Sequence, residues 1–120
     1  MSATNFSVSV PQYLVEQVDK RARAFGRSRN AEWRHLLNLG LEYYEEGVPF
    51  SDMPPRTPPW RQVTIRVDNG VLFEVRQLSK ANNRETGPEI LHLILLATEE
   101  SARRDLAVIQ QLLDSTARCS

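Results

Sequence analysis

Two short stretches of the chain alternate polar and apolar residues. One covers residues 5–10 and the other covers residues 62–67. Their apolar positions are Phe6, Val8 and Val10 in the first stretch and Val63, Ile65 and Val67 in the second. A period of two residues is typical of a β-strand that buries one face. The sequence therefore predicts one short strand in each half of the chain.

Each predicted strand is followed by two segments with helical periodicity. In the first half, apolar residues recur every three or four positions until Gly26, a residue type that readily ends a helix in the left-handed conformation. These positions are Leu14, Val18, Ala22 and Phe25. A second helix is predicted after Ser28, a favourable N-cap. Its apolar side is formed by Trp33, Leu36, Leu37, Gly40, Leu41 and Tyr44. In the second half, Asn83 takes the place of Gly26, and the spacing of Thr86 and Glu89 predicts a capping box.

The two halves match each other at an offset of 57 residues. This offset places Phe6 on Val63 and His35 on His92, and it aligns the apolar positions of the strands and helices. Residues 47–60, between the halves, hold five of the seven prolines. Paired prolines remove backbone donors and disfavour helical angles, so this stretch is predicted to be a semi-rigid linker. We interpret the chain as a duplicated unit of strand, helix and helix.

A further amphipathic helix is predicted after the second unit, either separate from its last helix or continuous with it. Residues 90–97 are apolar on two sides, which is more than a surface helix needs. We expect the C-terminal helix to cover the second side, or to form a chain-to-chain interface that gives a dimer of pseudo-dimers. The residues expected to make this contact are Leu106, Ile109, Leu112 and Leu113.

One unit cannot be stable by itself. A lone strand leaves its backbone donors and acceptors unpaired, and a unit of about 45 residues has too small a core. Each half is therefore expected to pair its strand with that of another copy. Within one chain, the linker of about fourteen residues spans at most roughly 45 Å, which is ample for the two halves to fold on each other.

These features resemble the ribbon-helix-helix, or Arc/MetJ-like, family of DNA-binding proteins. The resemblance rests on FSVSVP, PQYLVEQVDKRA and GRSRNAEWRHLLNLGLEYYEE in residues 5–46. It is weaker in residues 61–102, where Asp68 replaces the proline, Asn83 the glycine, and Glu85 the neutral cap. Paired units of this kind are similar to those of some conjugative accessory proteins and some phage and plasmid repressors.

The resemblance implies a mainly α fold with a short two-stranded antiparallel ribbon, formed by two fused units as a pseudo-dimer. The boundaries expected are residues 1–46 for the first unit, 47–60 for the linker, 61–102 for the second unit and 103–120 for a C-terminal helical extension. It also implies that the ribbon enters the major groove of double-stranded DNA. The protein would then act as a transcriptional repressor or a nucleoprotein-assembly factor.

The pattern and the resemblance together predict the residues that contact DNA. The polar side chains opposite the buried face of each strand are expected to touch base edges, because amide, guanidinium and hydroxyl groups all match base-edge donors and acceptors. They are Asn5, Ser7, Ser9, Gln62, Thr64 and Arg66. In the family, phosphates bind at the N-terminus of the second helix, where free N–H groups and the helix dipole favour an anion. The corresponding residues and their basic neighbours are Lys20, Arg23, Arg27, Ser28, Arg29, Asn30, Arg84 and Thr86.

Charge leaves two interpretations open. The chain has 15 basic and 15 acidic residues, which excludes a uniformly basic nucleic-acid binder, although Lys20 to Arg34 holds six cations and one anion. A polar row on a ribbon and a basic helix face are also ordinary solvated surfaces. The alternative is therefore a protein-interaction module, antitoxin-like or a phage-encoded inhibitor, that keeps the scaffold without binding DNA and holds a partner with its C-terminal helix.

No enzymatic motif or cofactor is predicted. The sequence has no glycine-rich phosphate loop, nucleophile motif or zinc spacing, and His35 and His92 are interpreted as structural. The single cysteine, Cys119, excludes an internal disulfide and is typical of a reducing compartment. Without an apolar run of membrane length or a leader-like start, we expect a soluble cytoplasmic protein.

Overall fold

The computed structural model describes residues 2–50 and 59–118. In these residues the element order is strand, helix, helix, twice over. The elements are β1 (Ala3–Pro11), α1 (Gln12–Ala24), α2 (Arg29–Glu45), β2 (Trp60–Asp68), α3 (Asn69–Ala81) and α4 (Thr86–Arg118). The described part of the chain is thus mainly helical with one two-stranded sheet, which confirms the coarse fold class. Most of the predicted linker lies outside the described residues.

β1 and β2 pair with each other as an antiparallel ribbon, so the strand partner comes from the same chain. The bounds of β1 and α1 reappear 57 residues later as those of β2 and α3, and the first residue of α2 reappears as that of α4. In the ribbon, Ser7 lies opposite Thr64, which is its own equivalent at this offset. The register is therefore symmetric about this pair, as the pairing of two equivalent strands requires.

The inner face of the ribbon packs on the helices. Val8 and Val10 of β1 and Ile65 and Val67 of β2 are each at most 2% exposed. They belong to one core cluster with apolar side chains of all four helices in the described residues. Trp33 is buried there, as predicted. Burial of this alternate set on both strands leaves the intervening side chains on the outer face of the ribbon.

α2 and α4 approach each other most closely at Gly40. A Cβ placed on this residue would lie 2.1 Å from the backbone oxygen of Leu93, so any side chain would collide with the α4 backbone. Gly40 is therefore required by helix packing. The predicted apolar side of α2 also includes Leu36 and Leu37, which are fully buried beside it.

The predicted helix ends are partly correct. Ser28 caps α2, because its Oγ accepts a hydrogen bond from the backbone N–H of Ala31 at 3.1 Å. Gly26 and Asn83 both adopt a positive φ, of 65° and 54°. The predicted capping box is wrong: the carboxylate of Glu89 is turned into the protein instead of binding the helix end.

Phe25 also departs from the prediction. It follows the last residue of α1, is 60% exposed, and does not join the core. The guanidinium carbons of Arg21 and Arg27 lie 5.9 and 5.1 Å from its ring centroid. The helix ends before Phe25 can continue the buried side, so the ring serves as a surface on which two cations stack.

α4 is continuous from the second unit into the predicted C-terminal extension, with no break at residue 103. The expectation that a C-terminal helix folds back over residues 90–97 is therefore wrong. Leu91 and Leu95, on the second apolar side, are buried by the core cluster itself. No Gly or Pro interrupts the helix after Pro88, so the last four turns of α4 continue along its axis. Across residues 2–50 and 59–118, we find no helix with the length and apolar character needed to span a membrane.

Candidate nucleic-acid interface

The outer face of the ribbon carries the six predicted base-contacting residues, and all six are exposed. The register sets them opposite one another in three cross-strand pairs. These pairs are Asn5 with Arg66, Ser7 with Thr64, and Ser9 with Gln62. The hydroxyl of Ser7 donates to Oε1 of Gln62 at 2.6 Å, which links neighbouring pairs diagonally. The structure thus brings together, on one exposed surface, side chains that the sequence places 53 to 61 residues apart.

The N-terminus of α2 lies against the outer edge of β2. Oδ1 of Asn30 accepts a hydrogen bond from the backbone N–H of Arg66 at 3.0 Å, and this N–H faces away from β1. Asn30 is one of the residues predicted to contact phosphate, and in the fold its side-chain oxygen pairs the strand edge. This bond fixes the distance between the helix end and the ribbon.

A cleft of about 340 Å³ opens at this junction. It is lined by Val15, Arg29, Asn30, Trp33, Arg61, Gln62, Val63 and Thr64. The cleft therefore joins two of the predicted base-contacting residues to two of the predicted phosphate-contacting residues. Its polar groups are mainly donors, since guanidinium and amide N–H groups outnumber the oxygens, and the helix N-terminus adds positive potential.

Arg61 lines this cleft and was missed by sequence reasoning. The alternation that predicted β2 begins at Gln62, whereas the strand begins at Trp60. Arg61 falls on an apolar position of the alternation that Val63, Ile65 and Val67 follow, so the pattern carried no signal for it. Arg61 is exposed and adds a cation to the cleft that Gln62 and Thr64 also line.

The other basic residues of the first unit are placed near α2, and several of them are bound internally. Lys20 and Arg23 are exposed on α1, and Arg23 lines a second cleft of about 310 Å³ with Arg27 and Arg29. Arg29 forms a bidentate pair with Asp19, at 2.5 Å from Nε to Oδ1 and 3.0 Å from Nη2 to Oδ2. A phosphate near Arg29 therefore competes with this carboxylate.

Arg27 is held by a buried carboxylate. Its Nη1 lies 2.7 Å from Oε2 of Glu32, and Nε of Arg21 lies 3.0 Å from Oε1. Glu32 is fully buried, and a buried carboxylate is tolerated only when paired. The first role of Arg27 is thus to neutralise Glu32, although its side chain keeps about one third of its surface exposed.

The corresponding residues of the second unit are less available to an anion. Arg84 binds the fully buried Glu89, with 3.1 Å from Nη1 to Oε1, and its guanidinium carbon lies 4.9 Å from the ring centroid of Phe50. Thr86 is half-buried, and the exposed Glu85 stands directly before α4. A Cβ on Gly87 would lie 3.8 Å from the ring of Phe6, which places this end of α4 against β1. The β1 side of the ribbon is therefore less basic than the β2 side.

His92 lies beside Arg84. Its imidazole packs edge-on against Phe50, with 5.5 Å between the ring centroids. Burial lowers the pKa of His92, and the positive charge of Arg84 lowers it further against the opposing effect of Glu89. This side chain is thus favoured in its neutral form, as a packing group at the edge of the second unit.

Comparison with known proteins found no match: no family model matches the chain, and no curated protein or solved structure is significantly similar to it.

Proposed function

We propose that the chain is a tandem ribbon-helix-helix protein whose two units fold on each other as a pseudo-dimer. Three observations support this assignment. The same order of elements occurs twice, the bounds of each strand and first helix repeat at an offset of 57, and the ribbon register is symmetric about Ser7 and Thr64. The duplicated Arg-to-Glu pairs, Arg27 with Glu32 and Arg84 with Glu89, follow the same offset.

The proposed activity is sequence-specific binding of double-stranded DNA, with the ribbon in the major groove. The observation that carries it is the exposed row of three polar pairs on the outer face of the ribbon. A two-stranded ribbon fits the major groove, where Arg66 is suited to guanine, and Asn5 and Gln62 are suited to adenine. Thr64 and the two serines can donate or accept hydrogen bonds in the same plane.

The cleft between α2 and β2 makes the two sides of the ribbon different. Its guanidinium groups and the α2 N-terminus lie where a phosphate backbone flanking the groove would pass, which positions the ribbon without reading sequence. The β1 side has the exposed Glu85 and the internally bound Arg84 in the corresponding places. The protein is therefore expected to read an asymmetric site, anchored on its β2 side. Such binding serves a transcriptional repressor or a nucleoprotein-assembly factor.

The test is selection of a preferred duplex from a random pool, followed by titrations on that duplex and on a scrambled one at several salt concentrations. Specific binding is expected to weaken by orders of magnitude between low and moderate salt, because several cations displace counterions from DNA. A variant with Asn5→Ala and Arg66→Ala should lose the preference. The matched control is Arg103→Ala on α4, which removes a cation away from the ribbon and should change little.

A second candidate is a protein-interaction module that has lost DNA binding. The observation favouring it is that Arg27, Arg29 and Arg84 are all paired with carboxylates of the same chain. Such a module should show no salt-dependent affinity for any duplex. The same titrations therefore separate the two functions.

A further inference from the structure

The last four turns of α4 form an arm, defined here as residues 103–117. All of its side chains are exposed, whereas residues 89–97 of the same helix are buried apart from the half-buried His92. Its base is fixed to the end of α2, since Nη2 of Arg104 lies 2.7 Å from Oε2 of Glu46 and its guanidinium carbon lies 4.3 Å from the ring centroid of Tyr43. The radius of gyration is 16.1 Å, above the roughly 13.6 Å expected for a compact chain of this length. The arm therefore projects from the body.

The arm carries an apolar stripe on one side. Its members are each between 52% and 66% exposed. They are Leu106, Val108, Ile109, Leu112 and Leu113. At 100° per residue they cover a sector of about 160°, which also includes Asp105, and the opposite side holds Gln110 and Gln111. An isolated helix of about 15 residues is marginal in water, so a stripe of this width is expected to be buried in the working protein.

We propose that the arm pairs with the arm of a second copy, antiparallel, so that two chains form a closed two-fold dimer. Leu106, Ile109 and Leu113 follow the three-and-four spacing of a helix seam. In an antiparallel pair, Leu106 of each copy lies opposite Ile109 of the other, and Leu113 lies opposite the small Ala102. The contact is thus made by one patch with itself, as a two-fold axis requires.

The body at the base of each arm selects the antiparallel direction. Arg104 and Tyr43 hold that base against the end of α2, so a parallel pair would crowd the two bodies together at the same end of the arms. The antiparallel pair keeps the two bodies, and so the two ribbons, at opposite ends of the paired arms.

The area of the stripe is sufficient for a modest interface. An apolar patch of about 300–600 Å² is the largest that a typical monomer exposes, and such a patch is often functional. The five side chains of each stripe are 52–66% exposed, so complete burial of two stripes would remove at most about 1,000 Å², the lower bound for a specific interface. A dimer with a dissociation constant in the micromolar range is expected.

The first experiment measures mass by light scattering after size exclusion, over a range of about 1 to 100 µM. The full chain should move towards twice 13.7 kDa as concentration rises. The variant Ile109→Lys with Leu113→Lys should stay at 13.7 kDa, while fluorescence from the buried Trp33 shows that its body remains folded. Gln111→Lys, on the opposite side of the same arm, is the matched control and should dimerise as the parent does.

The second experiment fixes the direction of pairing. In a Cys119→Ser background, Ala102→Cys and Leu113→Cys are made as separate chains. Antiparallel arms should form a disulfide when the two variants are mixed, but not when either is oxidised alone. Crosslinking within each variant alone would establish a parallel pair and overturn the proposed geometry.

Two other results would overturn the proposal. One is a full chain that remains monomeric at 100 µM. The other is a dimer that is lost equally when Phe73→Lys is introduced, because Phe73 is 63% exposed in an apolar groove of about 500 Å³ beside Leu41 and Tyr44. That result would assign the arm to the α2–α3 groove of the second copy. Neither result bears on DNA binding by a single chain, which the titrations above measure separately.

Discussion

Glu32 and Glu89 are equivalent residues of the two units, and both are fully buried with an arginine from five positions earlier bound to the carboxylate. The pairs differ in their second partner. Glu32 also accepts a hydrogen bond from Nε of Arg21, whereas within residues 2–50 and 59–118 the second donor to Glu89 is the amide of Asn82, at 3.1 Å. One buried carboxylate is therefore held by two cations and the other by one.

This difference predicts that removing the equivalent arginine from each unit lowers the free energy of unfolding by different amounts. Arg84→Ala should lower the free energy of unfolding by about 2–3 kcal/mol, because it leaves Glu89 buried without a cation. Arg27→Ala should cost only about 1 kcal/mol, since Arg21 still neutralises Glu32. Urea unfolding measures both. The double change Arg84→Ala and Glu89→Leu should recover stability, and equal losses for the two single variants would contradict the assignment.

The contact between α2 and α4 predicts a large effect at Gly40. Gly40→Ala should destabilise the protein by about 3 kcal/mol, because its methyl group must displace the backbone at Leu93. Gly70, in the first turn of α3, has no neighbour within 4 Å of an added Cβ. Gly70→Ala is thus the control, and it should be neutral or stabilise by up to about 1 kcal/mol. Thermal unfolding of both variants tests the pair, and a tolerated Gly40→Ala would show that the helices do not approach so closely.

The lowered pKa of His92 predicts a dependence of stability on pH. Because this pKa lies below the ordinary value of 6.5 in the folded state, the unfolded chain binds the proton more readily. The contribution of neutral His92 to the free energy of unfolding is fully present above about pH 6.5, and it is lost as the pH falls through the folded-state pKa. Denaturant unfolding at pH 7.5 and pH 5.5 measures the loss. His92→Gln should reduce the difference between the two pH values, and an unchanged difference would assign it to other groups.

Base-contacting and phosphate-contacting residues should respond differently to mutation. Arg66→Ala should cost about 1–3 kcal/mol on the preferred duplex and little on a scrambled one, since in the proposed complex its guanidinium reads a base. Arg29→Ala should weaken binding to both duplexes and reduce the salt slope by about one unit. Titrations on both duplexes distinguish these patterns. Equal small effects at the two positions would favour the protein-interaction module.

The pairing of Arg29 with Asp19 allows a converse test. Asp19→Asn removes the competing carboxylate and should increase affinity for both duplexes, most strongly at low salt. Glu16→Gln, an exposed acid on the same helix, is the control for a simple change of net charge. If the two variants gave the same gain, Arg29 would have no special part in holding phosphate.

Intrachain pairing of β1 and β2 predicts how the chain responds to division. Residues 1–48 alone should be unfolded or form a homodimer, because β1 then lacks β2. The body of the full chain should remain folded at nanomolar concentration, where the arms separate. Far-ultraviolet circular dichroism on dilution checks both. Loss of helical signal from the full chain on dilution would show that the strand partner comes from another molecule.

Much of this architecture follows from local pattern. Alternation at Phe6, Val8 and Val10 identified the first strand, and a period of two leaves only one assignment of its inner and outer faces. Gly26 and Asn83 ended their helices because few other residues accept a positive φ. The exposed positions of the six ribbon side chains follow from the same alternation. These features depend on neighbours in sequence, so the sequence by itself determined them.

The tertiary structure decided what depends on partners distant in sequence. The sequence indicated that strands must pair, but only the fold set Ser7 opposite Thr64 within one chain. The carboxylate of Glu89 looked like a helix cap, and only burial against Arg84 gave it another role. Likewise, the apolar stripe of α4 predicted a buried helix, while the unbroken helix axis carried it away from the body. Periodicity reports which side of an element is apolar, and the packing of other elements decides what that side meets.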